Sequence, residues 1–262
     1  MSLPDLSLLR DCAIAASNAA AEHALANLPR RREADATFPH DVKLALDREC
    51  QEQAEAVIRK KFPSHEILGE ESVEKVNSTG PLWIIDPIDG TVNFSHGLRY
   101  WCNSIAVQIG GQLVAGVVQA PQLDELYTAT LEQPSELNGE RIYVSDTPRM
   151  AESLALTGIA KAYDVDAMSM EFLRVVGVRV RKVRLMGAAA LDICQVAAGR
   201  VEAFFETGIN LWDIAGGDII VRQAGGKSAI LETIAPLKYR YYCSNGLIHD
   251  EMMELLAKIL KK

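Results

Sequence analysis

The segment that decides the fold is residues 82–91, which read LWIIDPIDGT. Its first four residues are apolar and predict a buried strand. Pro87 cannot donate to a sheet ladder and predicts the end of that strand, so Asp86 and Asp89 leave the core together. Gly90 lets the backbone turn closely, and backbone N–H groups at such a turn face an incoming phosphate. Carboxylates beside a phosphate cradle are typical of Mg²⁺ sites. The segment alone predicts metal-assisted phosphoryl chemistry.

The composition of the chain is that of an acidic globular protein. It has 262 residues, 48% of them hydrophobic, which is enough for one large domain or two intimately packed halves. The net charge of −8 argues against nucleic acid or an anionic membrane as the main partner. An acidic protein that binds a phosphate needs local positive charge, and bound cations supply it without a basic patch.

The cysteines and the N-terminal segment indicate a compartment. The five cysteines are odd in number, lie far apart and form no CxxC pair. We therefore expect no disulfide framework and no zinc site, and a cytoplasmic location fits best. Residues 1–30 mix acidic and basic residues and contain no continuous apolar segment, so we expect neither a signal peptide nor a membrane span.

Apolar periodicity predicts an α+β chain of layered helices and sheets. Predicted helices span 4–28, 47–61, 167–176, 188–199, 213–224 and 249–261. Predicted strands span 66–69, 82–85, 102–109, 113–120, 125–131, 141–145, 153–159, 178–185 and 201–206, with further short strands before the last helix. A loop is predicted over 30–41, and Asn138-Gly139 predicts a hairpin turn. No linker or repeat divides the chain, so we expect one domain over 1–262, with an α+β half to about 150 and an α/β half after it.

Carboxylates recur in four segments, three of which follow or begin regular elements. They are Asp41 to Asp47, Glu70-Glu71, Asp86 with Asp89, and Trp212-Asp213. A two-metal site, whose ions lie about 3.5–4 Å apart, needs several such ligands. Each segment also has a plainer interpretation. Asp-Pro and Asp-Gly are ordinary turn dipeptides, the paired glutamates suit a surface, and Asp213 suits a helix N-cap. The residues by themselves leave both interpretations open.

Three of these segments together resemble the inositol monophosphatase family. They are 69–72 (GEES), 83–97 (WIIDPIDGTVNFSHG) and 212–217 (WDIAGG), in the order of the family, and the resemblance extends from about Asp41 to Gly226. It implies a layered αβαβα sandwich. It also implies a Mg²⁺-dependent phosphatase for small sugar or polyol monophosphates, with myo-inositol 1-phosphate as the expected substrate.

The resemblance assigns the metal ligands. A first Mg²⁺ would be held by Glu70, Asp86 and the carbonyl of Ile88. A second would be held by Asp86, Asp89 and Asp213. A third, more weakly bound ion would contact Glu70 through a water molecule. Li⁺ is expected to inhibit from the second position.

The resemblance also assigns the catalytic groups. The phosphate would lie against the N–H groups of Gly90 and Thr91. The nucleophile would be a metal-activated water, oriented and deprotonated by Glu70 and by Thr91, which would be linked to Asp47. The second metal would stabilise the departing alkoxide, and no phosphoenzyme is expected.

Substrate contacts follow by the same resemblance. Glu206 matches the position that contacts substrate hydroxyls, and the segment containing Gly187 and Ala188 matches the wall of that pocket, which also includes Asp89 and Asp213. Asp192 is left open between a structural and a binding role, and His96 is expected to be a loop residue. The family implies a homodimer, for which an apolar middle sheet would supply the interface.

Two departures from the family pattern stand ahead of the second helix. Leu44 lies where Thr is usual, and Ala36 replaces a lysine that many members carry. We hypothesise that Lys43 supplies the missing positive charge, because it lies between Asp41 and Asp47 in an otherwise apolar stretch. The alternative is that Lys43 simply faces solvent.

Other functions remain open at this point. Fructose 1,6-bisphosphate, 3′-phosphoadenosine 5′-phosphate and histidinol phosphate are alternative substrates, because a hydroxyl-rich pocket separates such ligands by few contacts. A regulatory binding protein with little turnover is the alternative from a different class. The acidic surface argues against direct RNA binding.

Overall fold

Two large β-sheets, a two-stranded sheet of β1 and β2, and seven α-helices organise the part of the chain that the structure, a computed structural model, describes: residues 5–38, 41–71, 80–159 and 167–260. The helices are α1 Leu6–Ala26, α2 Ala45–Lys61, α3 Thr91–His96, α4 Ala167–Val176, α5 Ala189–Ala197, α6 Leu211–Gln223 and α7 His249–Leu260. The first strands are β1 Ala34–Phe38, β2 Asp41–Leu44, β3 Glu66–Gly69, β4 Leu82–Asp89, β5 Cys102–Ile109, β6 Gln112–Ala120 and β7 Glu125–Thr130. The later ones are β8 Glu136–Leu137, β9 Glu140–Arg141, β10 Leu154–Thr157, β11 Lys182–Arg184, β12 Ala203–Asn210, β13 Lys227–Ala235 and β14 Lys238–Ser244.

The elements stack in five layers. Helices α1 and α2 cover one face of a seven-stranded sheet of order β3-β4-β5-β6-β7-β8-β9, and α5 and α6 cover the other face. The same two helices contact a five-stranded sheet of order β11-β10-β12-β14-β13, whose far face carries α4 and α7. This arrangement confirms the predicted αβαβα sandwich. The prediction of a single domain over 1–262 stays a prediction.

Helix α1 packs against the seven-stranded sheet through a stripe of small side chains. Ala13, Ala16, Ala20 and Ala24 recur at helical spacing and are buried. Short side chains let the helix axis approach β5 and β6, which it contacts. The alanine run that predicted helix propensity is therefore also the packing surface.

Strand β4 continues further than predicted. All of its residues are buried, and it runs to Asp89 instead of ending before Pro87. Opposite β5 the register shifts: Asp86 pairs with Ser104 and Asp89 pairs with Cys102. Two residues of β4 therefore oppose one of β5, which is a β-bulge, and a bulge tolerates proline inside a sheet. The side chain of Asn103 donates to the Pro87 carbonyl at 3.1 Å and closes the bulge.

The bulge has a direct effect on the two aspartates. Side chains alternate between the faces of a strand, so residues three positions apart normally point to opposite faces. One extra residue between Asp86 and Asp89 removes that alternation. Both carboxylates therefore reach the same end of the sheet.

Most predicted elements are confirmed, with shifts at their ends, and four predictions are corrected. The predicted loop over 30–41 is wrong, because Leu28–Arg30 forms a 3₁₀ turn and β1 pairs with β2. Strand β11 is shorter than the predicted 178–185, and β9 is shorter than 141–145. Strands β13 and β14 are longer than expected because they pair with each other along most of their length. The turn at Asn138 and Gly139 is confirmed, with φ of 53° and 83°.

The cysteines and the helices bear on the compartment predictions. All five cysteines are unpaired and buried. Among the described residues, no helix combines the length and the apolarity that crossing a membrane requires.

Candidate active site

Three carboxylates from distant parts of the chain meet at the end of β4. Glu70 follows β3, Asp86 lies in β4, and Asp213 is in the first turn of α6. Each offers one oxygen, and these oxygens all lie within 4.8 Å of one another. Strands β3 and β4 are parallel neighbours, and the Glu70 N–H donates to the Ile85 carbonyl at 3.1 Å, which fixes Glu70 beside Asp86. The structure thus brings three predicted metal ligands together.

The electrostatics of this cluster call for a cation. Asp86 is 1% exposed, and burial, then the nearby Glu70, Asp89 and Asp213, raise its pKa well above the usual value. Burial and then Asp213 raise the pKa of Glu70 in the same way. Protein interiors do not hold several ionised carboxylates without compensation. An all-oxygen donor set suits a hard cation such as Mg²⁺, so the residues present fit the predicted metal.

Asp89 is fixed by the start of α5. Its carboxylate accepts the N–H groups of Ala189 at 3.0 Å and Ala190 at 2.8 Å. The Cys102 thiol lies 3.4 Å from its second oxygen. Burial raises the pKa of Asp89, and the backbone hydrogen bonds oppose that shift. Asp89 stands next to the group of three, and its role as a metal ligand stays a prediction.

The backbone after β4 forms the predicted turn. Gly90 has φ of 88°, a left-handed conformation that favours glycine, and an added Cβ would lie 3.0 Å from the Cβ of Ala188. The Thr91 hydroxyl donates to the Ile88 carbonyl at 2.9 Å. This bond orients the carbonyl that the resemblance names as a metal ligand.

Asp47 lies in the first turn of α2 and is buried. Its carboxylate accepts the Leu44 N–H at 2.8 Å, which stabilises the start of that helix. The negative charge of Asp47 contributes to the raised pKa of both Glu70 and Asp86. The predicted link between Thr91 and Asp47 stays a prediction.

A cavity of about 530 Å³ opens over these groups. Its lining includes every predicted metal and substrate residue: Glu70, Asp86, Ile88, Asp89, Gly90, Thr91, Gly187, Ala188, Glu206 and Asp213. Asn93, Asn210 and Lys238 also line it and were not predicted. A larger cleft of about 1000 Å³ shares none of these residues and has mainly apolar walls. The smaller cavity is the candidate active site because it alone contains the carboxylate cluster.

Two further carboxylates line the far side of this cavity. Asp192 is 2% exposed and accepts the Tyr100 hydroxyl at 2.7 Å. Burial raises the pKa of Asp192 well above its usual value, although the bond from Tyr100 opposes that shift. Glu206 lies so close to Gly158 that a side chain there would overlap its carboxylate. The role of Glu206 in contacting substrate hydroxyls stays a prediction.

The structure corrects one predicted local role and refines another. Asp213 is not an N-cap, since α6 begins after Asn210, and its carboxylate accepts the Asn210 N–H at 2.8 Å. His96 is the last residue of α3, not a loop residue, and it is exposed. The side chains of Ala36 and Asp41, and all of Ser72, lie outside the described residues.

Lys43 is held at the edge of the carboxylate cluster. Its ammonium lies 2.9 Å from Glu71, so it does not simply face solvent. Burial opposes its charged form, but the hydrogen bond to Glu71 and the nearby Glu70 and Asp47 outweigh burial, and the pKa of Lys43 is raised. In return its charge lowers the pKa of Glu70, against the larger effect of burial.

We expect Lys43→Ala to move the acid limb of the pH–rate profile to higher pH. Without the lysine charge the pKa of Glu70 rises further, and protons compete more effectively with the metal. Initial rates at several Mg²⁺ concentrations from pH 5 to 9 measure the shift, with Lys60→Ala, an exposed lysine of α2, as the control. An unchanged dependence on pH, Mg²⁺ and phosphate would remove Lys43 from the site.

Comparison with known proteins relates this geometry to a family. The model described as "Inositol monophosphatase family" matches residues 5–262. A Thermotoga maritima protein named fructose-1,6-bisphosphatase/inositol-1-monophosphatase is 39% identical over 224 residues, 85% of this chain and 85% of that protein. The Nus factor SuhB of Pasteurella multocida is 39% identical over 189 residues, 71% of each chain.

A solved structure extends the similarity to the fold. The inositol monophosphatase from Anabaena (Nostoc) sp. PCC 7120 superposes with a TM-score of 0.85 at 32% identity, covering 97% of both chains. Similarity of sequence and of fold therefore spans nearly the whole chain.

Proposed function

Because the chain belongs to the inositol monophosphatase family, we propose that it is a Mg²⁺-dependent phosphatase that hydrolyses small sugar or polyol monophosphates, with myo-inositol 1-phosphate as the leading substrate. The observation that carries this proposal is the convergence of Glu70, Asp86 and Asp213 within 4.8 Å at one end of a cavity. Fructose 1,6-bisphosphate is the first alternative substrate, since a relative's name includes it.

The metal would be held by side chains that the fold already orients. Two to three Mg²⁺ ions would take the oxygens of Glu70, Asp86, Asp213 and Asp89 and the Ile88 carbonyl. Bound there, they would neutralise phosphate charge and make water a stronger nucleophile. The Thr91 hydroxyl keeps the Ile88 carbonyl in place, and the α5 N–H groups keep Asp89 in place.

The remaining groups act on the substrate directly. The N–H groups of Gly90 and Thr91 line the cavity beside the carboxylates and bind the phosphate oxygens. Glu70 takes a proton from the attacking water as a general base. As the new P–O bond forms, the bond from phosphorus to the substrate oxygen breaks, and that oxygen leaves as an alkoxide that takes a proton from solvent water to become the alcohol. No side chain becomes phosphorylated.

The alcohol part of the substrate is recognised by the wall of the cavity opposite the carboxylate cluster. Glu206 and Asp192 present carboxylate oxygens there, and each accepts hydroxyl protons of a polyol. The Tyr100 hydroxyl fixes one oxygen of Asp192. A substrate that lacks those hydroxyls loses these contacts and binds less well.

The test is phosphate release across a substrate panel with Mg²⁺ titrated. The panel contains myo-inositol 1-phosphate, fructose 1,6-bisphosphate, 3′-phosphoadenosine 5′-phosphate and histidinol phosphate. We expect Mg²⁺-dependent release that Li⁺ inhibits, fastest with a polyol or sugar phosphate. The Asp213→Asn protein, purified identically, controls for contaminating phosphatases. Release from none of the substrates would favour the alternative function, a binding protein with little turnover. One relative is named a Nus factor, which is consistent with that alternative.

We propose that the protein is a homodimer and that it is cytoplasmic, in keeping with its unpaired cysteines. The middle strands β5 to β7 are largely buried within the subunit, so we place the interface elsewhere. Exposed apolar side chains lie instead around α3, and they are Val92, Leu98 and Met186. Met186 is fixed there because the Asn93 side-chain amide donates to the Met186 carbonyl at 2.8 Å.

Light scattering after size exclusion tests this arrangement. We expect a dimer mass for the wild type and a monomer mass for Leu98→Glu, because a charge in an apolar interface is not compensated. Leu247→Glu, an equally exposed leucine before α7, is the control and should remain dimeric. A wild-type monomer at micromolar concentration would end the proposal.

A further inference from the structure

The larger cleft, of about 1000 Å³, lies beside α6 and apart from the active-site cavity. Its apolar wall includes Leu68 of β3, Leu82 of β4, Leu113 of β6 and Leu237 of the turn between β13 and β14. Ile230 of β13 also lines it and is 55% exposed. Apolar surface that stays exposed in a concave cleft of this size is typical of sites that bind small molecules.

The fold forms this cleft at the edges of the two large sheets. Strand β3 is an edge strand of the seven-stranded sheet, and β13 is an edge strand of the five-stranded sheet. Helix α6 contacts both sheets, and residues of both edge strands line the cleft along this helix. Because regular elements supply its walls, the cleft is largely formed before any ligand binds.

One ion pair supplies the charged groups of the cleft. Asp218 and Arg222 of α6 are the carboxylate and the cation among the described residues that line it. The Arg222 Nη2 lies 2.9 Å from one oxygen of Asp218, and the other oxygen accepts the Tyr241 hydroxyl at 2.9 Å. Both oxygens of Asp218 are therefore engaged within the protein, which leaves little for a cationic ligand.

Arg222, in contrast, keeps donors for a ligand. A guanidinium carries five N–H groups. The Nε–H of Arg222 donates to the Asp218 carbonyl at 3.3 Å, and Nη2 faces the Asp218 carboxylate. The Nη1 group makes no hydrogen bond or ion pair with any residue that the structure describes. With 40% of its side chain exposed, Arg222 can bind the oxygens of an anionic group, a contact that is stronger than one between neutral groups.

We propose that this cleft is a second ligand site, for a small hydrophobic acid. The apolar body of the ligand contacts Ile230 and the leucines, and its carboxylate or sulfonate group binds Arg222. A gap that only water fills does not account for an exposed isoleucine on the same cleft as four leucines, because apolar surface left in water costs free energy in proportion to its area. A concave wall with one available guanidinium suits a small acid better than a flat subunit interface.

Two fluorescent probes that differ only in the anionic group test the proposal. They are 8-anilinonaphthalene-1-sulfonate and N-phenyl-1-naphthylamine, which share one aromatic body, and only the first carries a sulfonate. We expect the wild-type protein to bind both. For Arg222→Met we expect the Kd of the sulfonate to rise about tenfold or more, because a charge-assisted contact is lost. The Kd of the neutral probe should change less than about twofold.

Matched variants separate the contact with Arg222 from its indirect effects. Asp218→Asn combined with Arg222→Met removes both charges and should still weaken the sulfonate, since the loss does not come from an uncompensated Asp218. Arg200→Met, an arginine of similar exposure that pairs with Glu125, is the control and should bind as the wild type. Ile230→Glu should weaken both probes, whereas Leu247→Glu, equally exposed and outside the cleft, should weaken neither.

Several results would overturn the proposal. They are the absence of binding to the wild type, equal losses of the two probes in Arg222→Met, and displacement of the probes by Mg²⁺ with inorganic phosphate, which would place them in the active-site cavity. Loss of a wild-type dimer in Ile230→Glu alone would assign the cleft to a second copy of the chain instead. Hydrogen exchange of the wild type with the sulfonate requires no variant. Added protection in α6, β13 and β14 supports the site, and protection confined to other elements rejects it.

Discussion

Asp86→Asn is expected to abolish turnover and at the same time to stabilise the metal-free protein. Asp86 is 1% exposed and surrounded by Glu70, Asp89 and Asp213, which with burial raise its pKa. Asparagine keeps an oxygen for the Ile88 N–H, now 3.1 Å from Asp86, and removes a buried charge. Loss of the ligand predicted to bridge two metals should lower kcat by on the order of a thousandfold or more.

The stability effect depends on pH with a definite sign. Because the pKa of Asp86 is higher in the folded protein than in the unfolded chain, the folded state holds more protons between those two values. Stability without metal therefore falls as pH rises from about 4, the unfolded value, through the raised pKa. Asparagine does not titrate, so the variant loses less stability over that range. The two proteins should melt at similar temperatures at low pH and diverge as pH rises.

Thermal unfolding in EDTA at pH 5 and pH 8, then with Mg²⁺, measures these effects. We expect Mg²⁺ to raise the melting temperature of the wild type strongly and that of Asp86→Asn only slightly. Asp250→Asn, an aspartate with 89% of its side chain exposed, is the control and should behave as the wild type. A variant that melts below the wild type in EDTA at pH 8 would show that the cluster is not self-repelling.

Asp213→Asn is expected to lower kcat by on the order of a thousandfold with little change in fold. Its carboxylate accepts the Asn210 N–H at 2.8 Å, a bond that an asparagine oxygen retains, so the start of α6 survives. Only the negative charge that a metal requires is lost. Rates with saturating Mg²⁺, Mg²⁺ affinity by calorimetry, and circular dichroism separate catalysis from folding.

Asp89→Asn provides an informative contrast. Both oxygens of Asp89 accept N–H groups at the start of α5, and an asparagine places a donor against one of them. We therefore expect this variant to lose activity as completely as Asp213→Asn and, in addition, to lose stability. Wild-type rates in either variant would refute the assignment of the site.

Sequence patterns predicted the elements whose signals are local. The apolar run of residues 82–85 identified β4, and the alanine-rich segment of residues 4–28 identified α1. Both could be predicted because the buried positions of an element determine the spacing of its apolar residues. The pairing of β1 with β2 was missed because the two strands are only five and four residues long and polar residues make up about half of them. Pro87 predicts the end of β4, whereas the strand continues because its pairing with β5 accommodates the proline by a shift in register.

Some residues of the candidate site could be predicted from local sequence motifs, and others could not. The candidate metal ligands Glu70, Asp86 and Asp213 were predicted because their flanking motifs resemble a family, while their convergence depends on the packing of α6 beside β4. Lys238 was not found. Its neighbours in sequence carry no motif, and its position in the cavity exists only once β14 pairs with β12. No sequence signal marks such a residue without knowledge of strand pairing.

The extra residue in β4 makes the position of the two aspartates depend on the number of residues between them in β4 relative to β5. With Asp86 paired to Ser104 and Asp89 to Cys102, the two carboxylates are brought together by an uneven count between adjacent strands. An insertion of one residue into β5 opposite them would restore an even ladder, leave the apolar core sequence of β4 intact, and turn one aspartate away from its partner. Insertions and deletions should therefore be excluded from this short interval even while substitutions within the surrounding strands are tolerated.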